Sequence, residues 1–272
     1  MKKTLKNNYL LTTLTLCLLL VGCNKDEDEP TQANFSAENA ILAAKTDAAV
    51  DGTMNIMENG IDESATRSNG ISLFTSCTTI TVQSNGNGGT IILDFGESCQ
   101  LNNGAIVSGI INLEFTAIIE GVRTIDYDFV DYTYNGNGVS GGGQIQREVA
   151  NSNGNPQSTV NETITVTFPN SPVTATRNGL RISEWVEGFG SGTWLDNVYH
   201  ITGNWNTTFS NGFQRTGEVT ETLVWKLNCL YLVSGVIQVT QEGFTGSLDY
   251  GNGACDNNAV LTLNGQQYDI LL

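Results

Sequence analysis

The chain holds a single histidine, His200, in Asn197-Val198-Tyr199-His200-Ile201-Thr202. A serine or cysteine nucleophile working with a histidine base would have to use it. One histidine also excludes a multi-histidine metal centre. Its neighbours Tyr199 and Ile201 share one strand face, so His200 is expected on the solvent side. Carboxylates come in close pairs: Asp126 with Asp128, Glu184 with Glu187, Glu218 with Glu221. Glycoside hydrolysis needs two carboxylates held across a cleft. Residues two apart on a strand instead leave the same face about 7 Å from each other. Asp126 and Asp128 are therefore read as a surface pair suited to a ligand or a calcium ion, and no residue is given a catalytic role.

The stretch Asp249-Tyr250-Gly251-Asn252-Gly253-Ala254-Cys255-Asp256-Asn257 is rich in hard oxygen ligands. Asp249, Asn252 and Asp256 are the candidate calcium ligands there, although the EF-hand spacing and closing glutamate are missing. The same residue types also dominate tight turns for backbone reasons. No other cofactor is expected. Aromatics gather between residues 185 and 213, as Trp185, Phe189, Trp194, Tyr199, Trp205, Phe209 and Phe213. Core packing is the common fate of such rings. Trp194, beside Gly190-Ser191-Gly192-Thr193, is the one expected in the open, where a sugar ring could stack on it.

The elements that must hold these residues are mostly strands. From about Ile71 the hydrophobic period is two. Val107, Ile111, Leu113, Phe115, Ala117 and Ile119 share one face, and Ile125, Tyr127 and Phe129 alternate with Asp126 and Asp128. Ile164, Val166 and Phe168 oppose threonines, and Val219, Leu223, Trp225 and Leu227 do so later. Such alternation marks antiparallel sheet with one covered face. Asn–Gly joints recur at Asn135-Gly136, Asn178-Gly179, Asn211-Gly212 and Asn264-Gly265. The expected fold is mainly β, an antiparallel meander built as a barrel, a sandwich or a curled sheet, over residues 66–272. Residues 36–65 read as a short N-terminal helical segment lying against that sheet. Ser36 would cap it and Gly52 would end its first part, with Met54, Ile56 and Met57 in a second short turn.

Ahead of the helix stand Lys2, Lys3 and Lys6, an apolar run from Tyr9 to Val21, and Leu20-Val21-Gly22-Cys23. The run is too short for a spanning helix and has the layout of a secretion signal. Its end resembles a bacterial lipobox, which implies cleavage before Cys23 and acylation of that thiol. Residues 1–22 are then a signal peptide. Residues 23–35, with Lys25 followed by Asp26-Glu27-Asp28-Glu29, are an acidic tether. This pattern is similar to the export signal of surface lipoproteins of the Bacteroidetes. The resemblance implies lipid anchoring in the outer membrane, facing outward. The closing stretch, with Cys229, Asp249-Tyr250-Gly251-Asn252-Gly253 and Cys255-Asp256-Asn257, resembles uncharacterised lipoproteins of the same group. It implies an anchored β-domain and brings no catalytic residue.

Charge and cysteines agree with that address. The formal net charge is −16, and losing three lysines with the signal takes it to −19. Such a polyanion is repelled by nucleic acid and anionic head groups, so the expected partners are the membrane through Cys23 and an extracellular glycan or protein. Apart from Cys17 and Cys23, four cysteines remain for disulfides outside the cytoplasm. In a symmetric hairpin, facing residues are equidistant from the turn. The midpoint of 77 and 99 falls in Asn85-Gly86-Asn87-Gly88-Gly89, and that of 229 and 255 falls beside Gly243. Cys77–Cys99 and Cys229–Cys255 are therefore the expected bridges. They sit in a weak repeat, in which Leu93-Asp94-Phe95-Gly96 corresponds to Leu248-Asp249-Tyr250-Gly251. The functional expectation is a non-enzymatic binding or structural module. Its rivals are a carrier that encloses an apolar ligand and a carboxylate-based hydrolase.

Overall fold

A computed structural model describes residues 36–66 and 71–272. Cys23, the signal peptide and the acidic tether lie outside the described residues. Helix α1 spans Ala37–Thr66. The strands follow as β1 (Thr79–Ser84), β2 (Gly88–Asp94), β3 (Cys99–Gln100), β4 (Ile106–Thr116), β5 (Val122–Tyr134), β6 (Asn137–Glu148) and β7 (Gln157–Thr167). Then come β8 (Thr174–Glu187), β9 (Val198–Phe209), β10 (Gln214–Lys226), β11 (Ser234–Gln241), β12 (Phe244–Asn252), β13 (Asn258–Leu263) and β14 (Gln266–Leu271). Each strand pairs antiparallel with the next in one sheet, except that β2 pairs directly with β4 and the short β3 also pairs β4. β1 and β14 are the two edges, so the sheet is open. Of the three forms expected, the structure takes the curled sheet.

The helix lies inside the curl. It touches both edge strands, β1 and β14, as well as β2 and β5 to β8. Ser36 Oγ accepts the Asn39 N–H at 3.2 Å, the expected N-cap. Gly52 does not end the helix, as the sequence had suggested. The side chain of Tyr134 packs so closely there that a Cβ would come within 2.2 Å of it. Glycine is thus a packing residue in an unbroken helix, not a stop.

Nor does the helix merely lie on the sheet. Leu42, Val50, Met54, Met57 and Ile61 enter the main apolar core, and Ala40 and Ala44 enter a second one beside β9 to β14. Its polar residues Thr46, Asp47, Asp51, Thr53, Asn55, Glu58 and Asn59 are equally buried. Thr46 and Thr53 donate to the carbonyls of Leu42 and Ala49 at 2.8 and 2.7 Å. Asn59 Nδ2 donates to Asn55 O at 2.9 Å. These back-bonds satisfy polar groups that have no water to meet.

The acids meet arginines from the concave face of the sheet. Arg177 pairs through Nε with Glu162 at 2.6 Å and through Nη1 with Asp47 at 3.1 Å, and its guanidinium lies 4.1 Å over the Trp205 ring. Arg215 Nη1 meets the other Asp47 oxygen at 2.5 Å. Arg181 reaches Asp51 at 3.5 Å and Asn55 Oδ1 at 3.0 Å. Arg147 holds Glu58 and, at 2.6 Å, Asp62. Burial opposes the charge on Arg147 and Arg177, yet the facing acids outweigh it and raise both pKa values. A helix this polar can sit in a protein interior only because each acid finds a cation there.

Both expected disulfides are present, with Cα atoms 5.5 Å apart for Cys77–Cys99 and 5.2 Å for Cys229–Cys255. The hairpin argument placed the second pair better than the first. The β11–β12 turn falls at Glu242-Gly243, as the midpoint required. In β1–β2, however, Thr79 faces Asp94, so Cys77 and Cys99 are not direct ladder partners. Cys99 reaches Cys77 because the chain turns after Phe95 and returns as β3 against β4. The repeat is real at the turns. Asp94 Oδ1 accepts Gly96 N–H at 2.9 Å, and Asp249 Oδ1 accepts Gly251 N–H at 2.8 Å.

Candidate functional site

The candidate residues separate into three places. Asp126 and Asp128 are exposed on the outer face of β5, as expected. Gln144 Nε2 donates to Asp126 at 2.9 Å, and Asn112 Nδ2 donates to Asp128 at 2.8 Å. Asp249 is spent on its turn, and Asp256 Oδ1 likewise accepts Asn258 N–H at 2.9 Å. Asn252 is exposed at the end of β12. No group of three His, Cys, Asp or Glu side chains with metal-holding geometry occurs among the described residues.

His200 is exposed on β9, facing Glu184 of β8 across the ladder. Glu184 takes hydrogen bonds from Asn153 and Asn155 at 3.0 and 2.9 Å, which hold its pKa below the usual value. A Gly-x-Ser-x-Gly string does occur at Gly138-Val139-Ser140-Gly141-Gly142, but it lies within strand β6. The nucleophile elbow requires a strand-to-helix turn, so the string carries no such chemistry.

Trp194 departs from expectation. Its neighbours Phe189 and Leu195 are the exposed apolar residues of the β8–β9 loop, with Phe189 at 63% exposure, while Trp194 is only 6% exposed. The loop is built from glycines: Gly188, Gly190 and Gly192 all have positive φ. At Gly188 a Cβ would come within 2.4 Å of Asn197 Oδ1. The turn from Trp194 O to Asn197 N–H, at 3.2 Å, folds the tryptophan back beneath the loop. Ser191 Oγ braces the crossing by donating to Asp196 at 2.9 Å.

Folded back, Trp194 lines a recess of about 170 Å³ at the C-terminal end of α1. Trp185 forms another wall. It stacks on Tyr199 with centroids 5.6 Å apart and meets the Phe189 edge at 5.1 Å, while its indole N–H is taken by Glu187 O at 2.5 Å. Helix α1 contributes Asn59, Asp62 and Glu63, the following segment Ile71, and the loop Thr193 and Asn197. Two polar atoms of the lining residues, Trp194 Nε1–H and Asn197 Oδ1, are fully buried without a hydrogen-bond partner, so neither is exposed to the recess. Burial raises the Asp62 pKa to about 7; Arg147 opposes the shift and Glu58 adds to it. Burial also raises Glu63, against hydrogen bonds from Ser72 Oγ at 2.5 Å and Leu73 N–H at 2.9 Å.

Sequence reasoning named Trp194 for this place but missed Asp62, Glu63 and Asn197. Only the helix could have linked them, since Asn59, Asp62 and Glu63 fall on adjacent positions one turn apart. The fold is thus an open antiparallel sheet curled on a buried, ion-paired helix, with an aromatic recess at the helix's C-terminal end. The chain matches no protein-family model, no curated protein and no solved structure.

Proposed function

We propose that this chain is a lipid-anchored surface protein that acts as a non-enzymatic binding module, with its ligand held in the recess between Trp185, Trp194 and the end of α1. The observation that carries the reading is the recess itself, where Trp185 and Trp194 stand against Asn59, Asp62 and Glu63 of the helix and burial raises the pKa values of Asp62 and Glu63. A concave site that joins apolar walls to a few polar groups of shifted pKa is a reason to look for a ligand. The carrier alternative has less support. Helix α1 fills the interior such a ligand would need, and the enclosed recess beside Trp225 and Tyr250 holds only about 10 Å³. The anchor rests on the residues ending at Cys23.

Mass spectrometry of the native protein tests both parts. Acyl groups on Cys23, removal of the protein by protease on intact cells, and a co-purified small molecule are the expected results. An intact leader with an unmodified Cys23 thiol refutes the anchor. A protein resistant to shaving refutes outward display.

A further inference from the structure

We infer that two copies of this chain pair edge to edge through β1, forming a two-fold dimer in which the sheet of one copy continues into the other. The inference is independent of the recess at the end of α1.

An open sheet has two edges, and each carries a row of backbone N–H and C=O groups without a ladder partner. The register fixes which groups these are on β1. At the β1–β2 turn, Asn85 N–H donates to Gly88 O at 3.1 Å. Bonding alternates along an antiparallel ladder, so Thr79, Thr81 and Gln83 bond to β2 while Ile80, Val82 and Ser84 turn their backbone groups away from it. The next ladder agrees. Ala117 N–H donates to Asn87 O at 2.8 Å, which commits Ile91 and Leu93, opposite Val82 and Ile80, to β4. Helix α1 touches β1 yet leaves every residue of the strand except Ile80 exposed.

The two edges differ in chemistry. Natural edge strands are guarded by charge or proline. In β14 the bond from Leu272 N–H to Asn257 O, at 3.0 Å, sets the same alternation and turns Gln267, Asp269 and Leu271 outward. Self-pairing there would put Asp269 against Asp269 of the second copy, like charges face to face. β1 has neither guard, since no charged residue and no proline occurs from Ile71 to Leu93. Copies of a chain with net charge −16 repel one another, so an uncharged edge is where they meet at least cost.

Centred on Val82, the pairing sets Val82 opposite Val82 of the second copy and Ile80 opposite its Ser84. Each facing pair exchanges two backbone hydrogen bonds. The pairing also covers Val82, an apolar side chain left 45% exposed that lines one surface recess with the exposed Ile118.

Sedimentation velocity of the purified native protein should show a monomer–dimer equilibrium. Its dissociation constant should be on the order of 10–100 µM, as suits a contact at the small end of interfaces. Val82→Pro removes the outward N–H from each copy and no bond of the β1–β2 ladder. It should keep the native tryptophan fluorescence and weaken dimerisation at least about tenfold. Val82→Cys reads the register directly. The Cα atoms of a hydrogen-bonded pair stand about 5.5 Å apart, within disulfide reach, so mild oxidation should link two copies. Thr81→Cys faces Gln83 of the second copy rather than itself and should link at least about tenfold less. If Val82→Pro fails to fold, the two cysteine variants still decide. A monomer throughout this range, oligomers that grow past the dimer, a dimer unchanged by Val82→Pro, or equal linking at 81 and 82 would each overturn the pairing.

Discussion

Replacing Asp47 by asparagine removes one negative charge from between two buried guanidinium groups. In the native protein Asp47 Oδ1 faces Arg177 at 3.1 Å and Oδ2 faces Arg215 at 2.5 Å, with all three side chains at most 4% exposed. Arg177 keeps Glu162 at 2.6 Å and Asp51 at 3.5 Å, so it is not stranded. Arg215 has no other ion pair among the described residues, and its Nε already lacks a hydrogen-bond partner. Asp47→Asn therefore leaves an uncompensated buried cation, a change that costs about 3–5 kcal/mol. With a urea m-value of about 3 kcal/mol/M, the unfolding midpoint should fall by about 1–2 M. Adding Arg215→Met removes the stranded charge, and the double variant should be more stable than the sum of the single losses by about 2–3 kcal/mol. Urea unfolding at neutral pH, followed by tryptophan fluorescence with disulfides intact, measures all four corners of the cycle. A single-variant loss below about 1 kcal/mol, together with simple additivity, would refute the claim that this ion network seats the helix.

Three further outcomes follow from the same interior. Burial raises the Asp62 pKa from 3.8 to about 7, opposed by Arg147 and helped by Glu58 and Glu63. The folded state therefore holds this proton more tightly than the unfolded chain. That stability is present at acid pH and is lost as pH rises through 7, by at most about 3 kcal/mol between pH 5 and 8. Asp62→Asn should flatten this decline; an unchanged slope in thermal melts from pH 5 to 8 would count against it. Gly52→Ala gains about 1 kcal/mol of helix propensity but drives a methyl into the Tyr134 ring. A net loss of about 1–3 kcal/mol is expected. Gly60→Ala, which meets only the flexible end of Leu93, should cost less in the same denaturation assay. Replacing either disulfide by paired serines should remove about 3 kcal/mol, since the bridged spans of 22 and 26 residues are similar. A much larger loss at one bridge, seen by calorimetry, would mean that it does more than restrict the unfolded chain.

The strands were legible because each carries its own alternation. Ile125 and Tyr127 point inward and Asp126 and Asp128 outward, and no distant information is needed to see it. The disulfides were legible for a related reason: turn residues mark hairpin midpoints along the chain. The helix was legible as a helix but not as a core. Asp47, Asp51, Glu58 and Asp62 lie within about 60° of arc on one helix face. A local reading assigns such a face to water. What buries it is Arg215, 168 residues beyond Asp47, together with Arg147, Arg177 and Arg181 from other strands. Nothing near Asp47 announces those partners. The Gly52 stop failed likewise, because Tyr134 sits far along the chain. Trp194 failed because glycines at 188, 190 and 192 permit a loop to fold inward as readily as outward.

The inward arginines also change what a partner meets. Four of the six arginines are spent on buried acids, so few cations remain outside to offset the carboxylates of the strand faces and loops. Removing those four cations with only Asp47, Asp51, Glu58, Asp62 and Glu162 leaves most of the negative charge on the surface. The surface field is thus set by exposed acids such as Glu114, Asp126, Asp128, Glu218 and Glu221, and it repels anionic polymers at a distance. A ligand that must reach the end of α1 through that field is selected for lacking negative charge before it arrives. Salt would screen this selection, since the Debye length falls from about 10 Å at 0.1 M to 3 Å at 1 M. Discrimination between neutral and acidic small ligands should therefore narrow as salt rises, while affinity for a neutral ligand stays nearly constant. Discrimination that does not change with salt would place its origin in the recess itself, at Asp62 and Glu63, rather than in the surface.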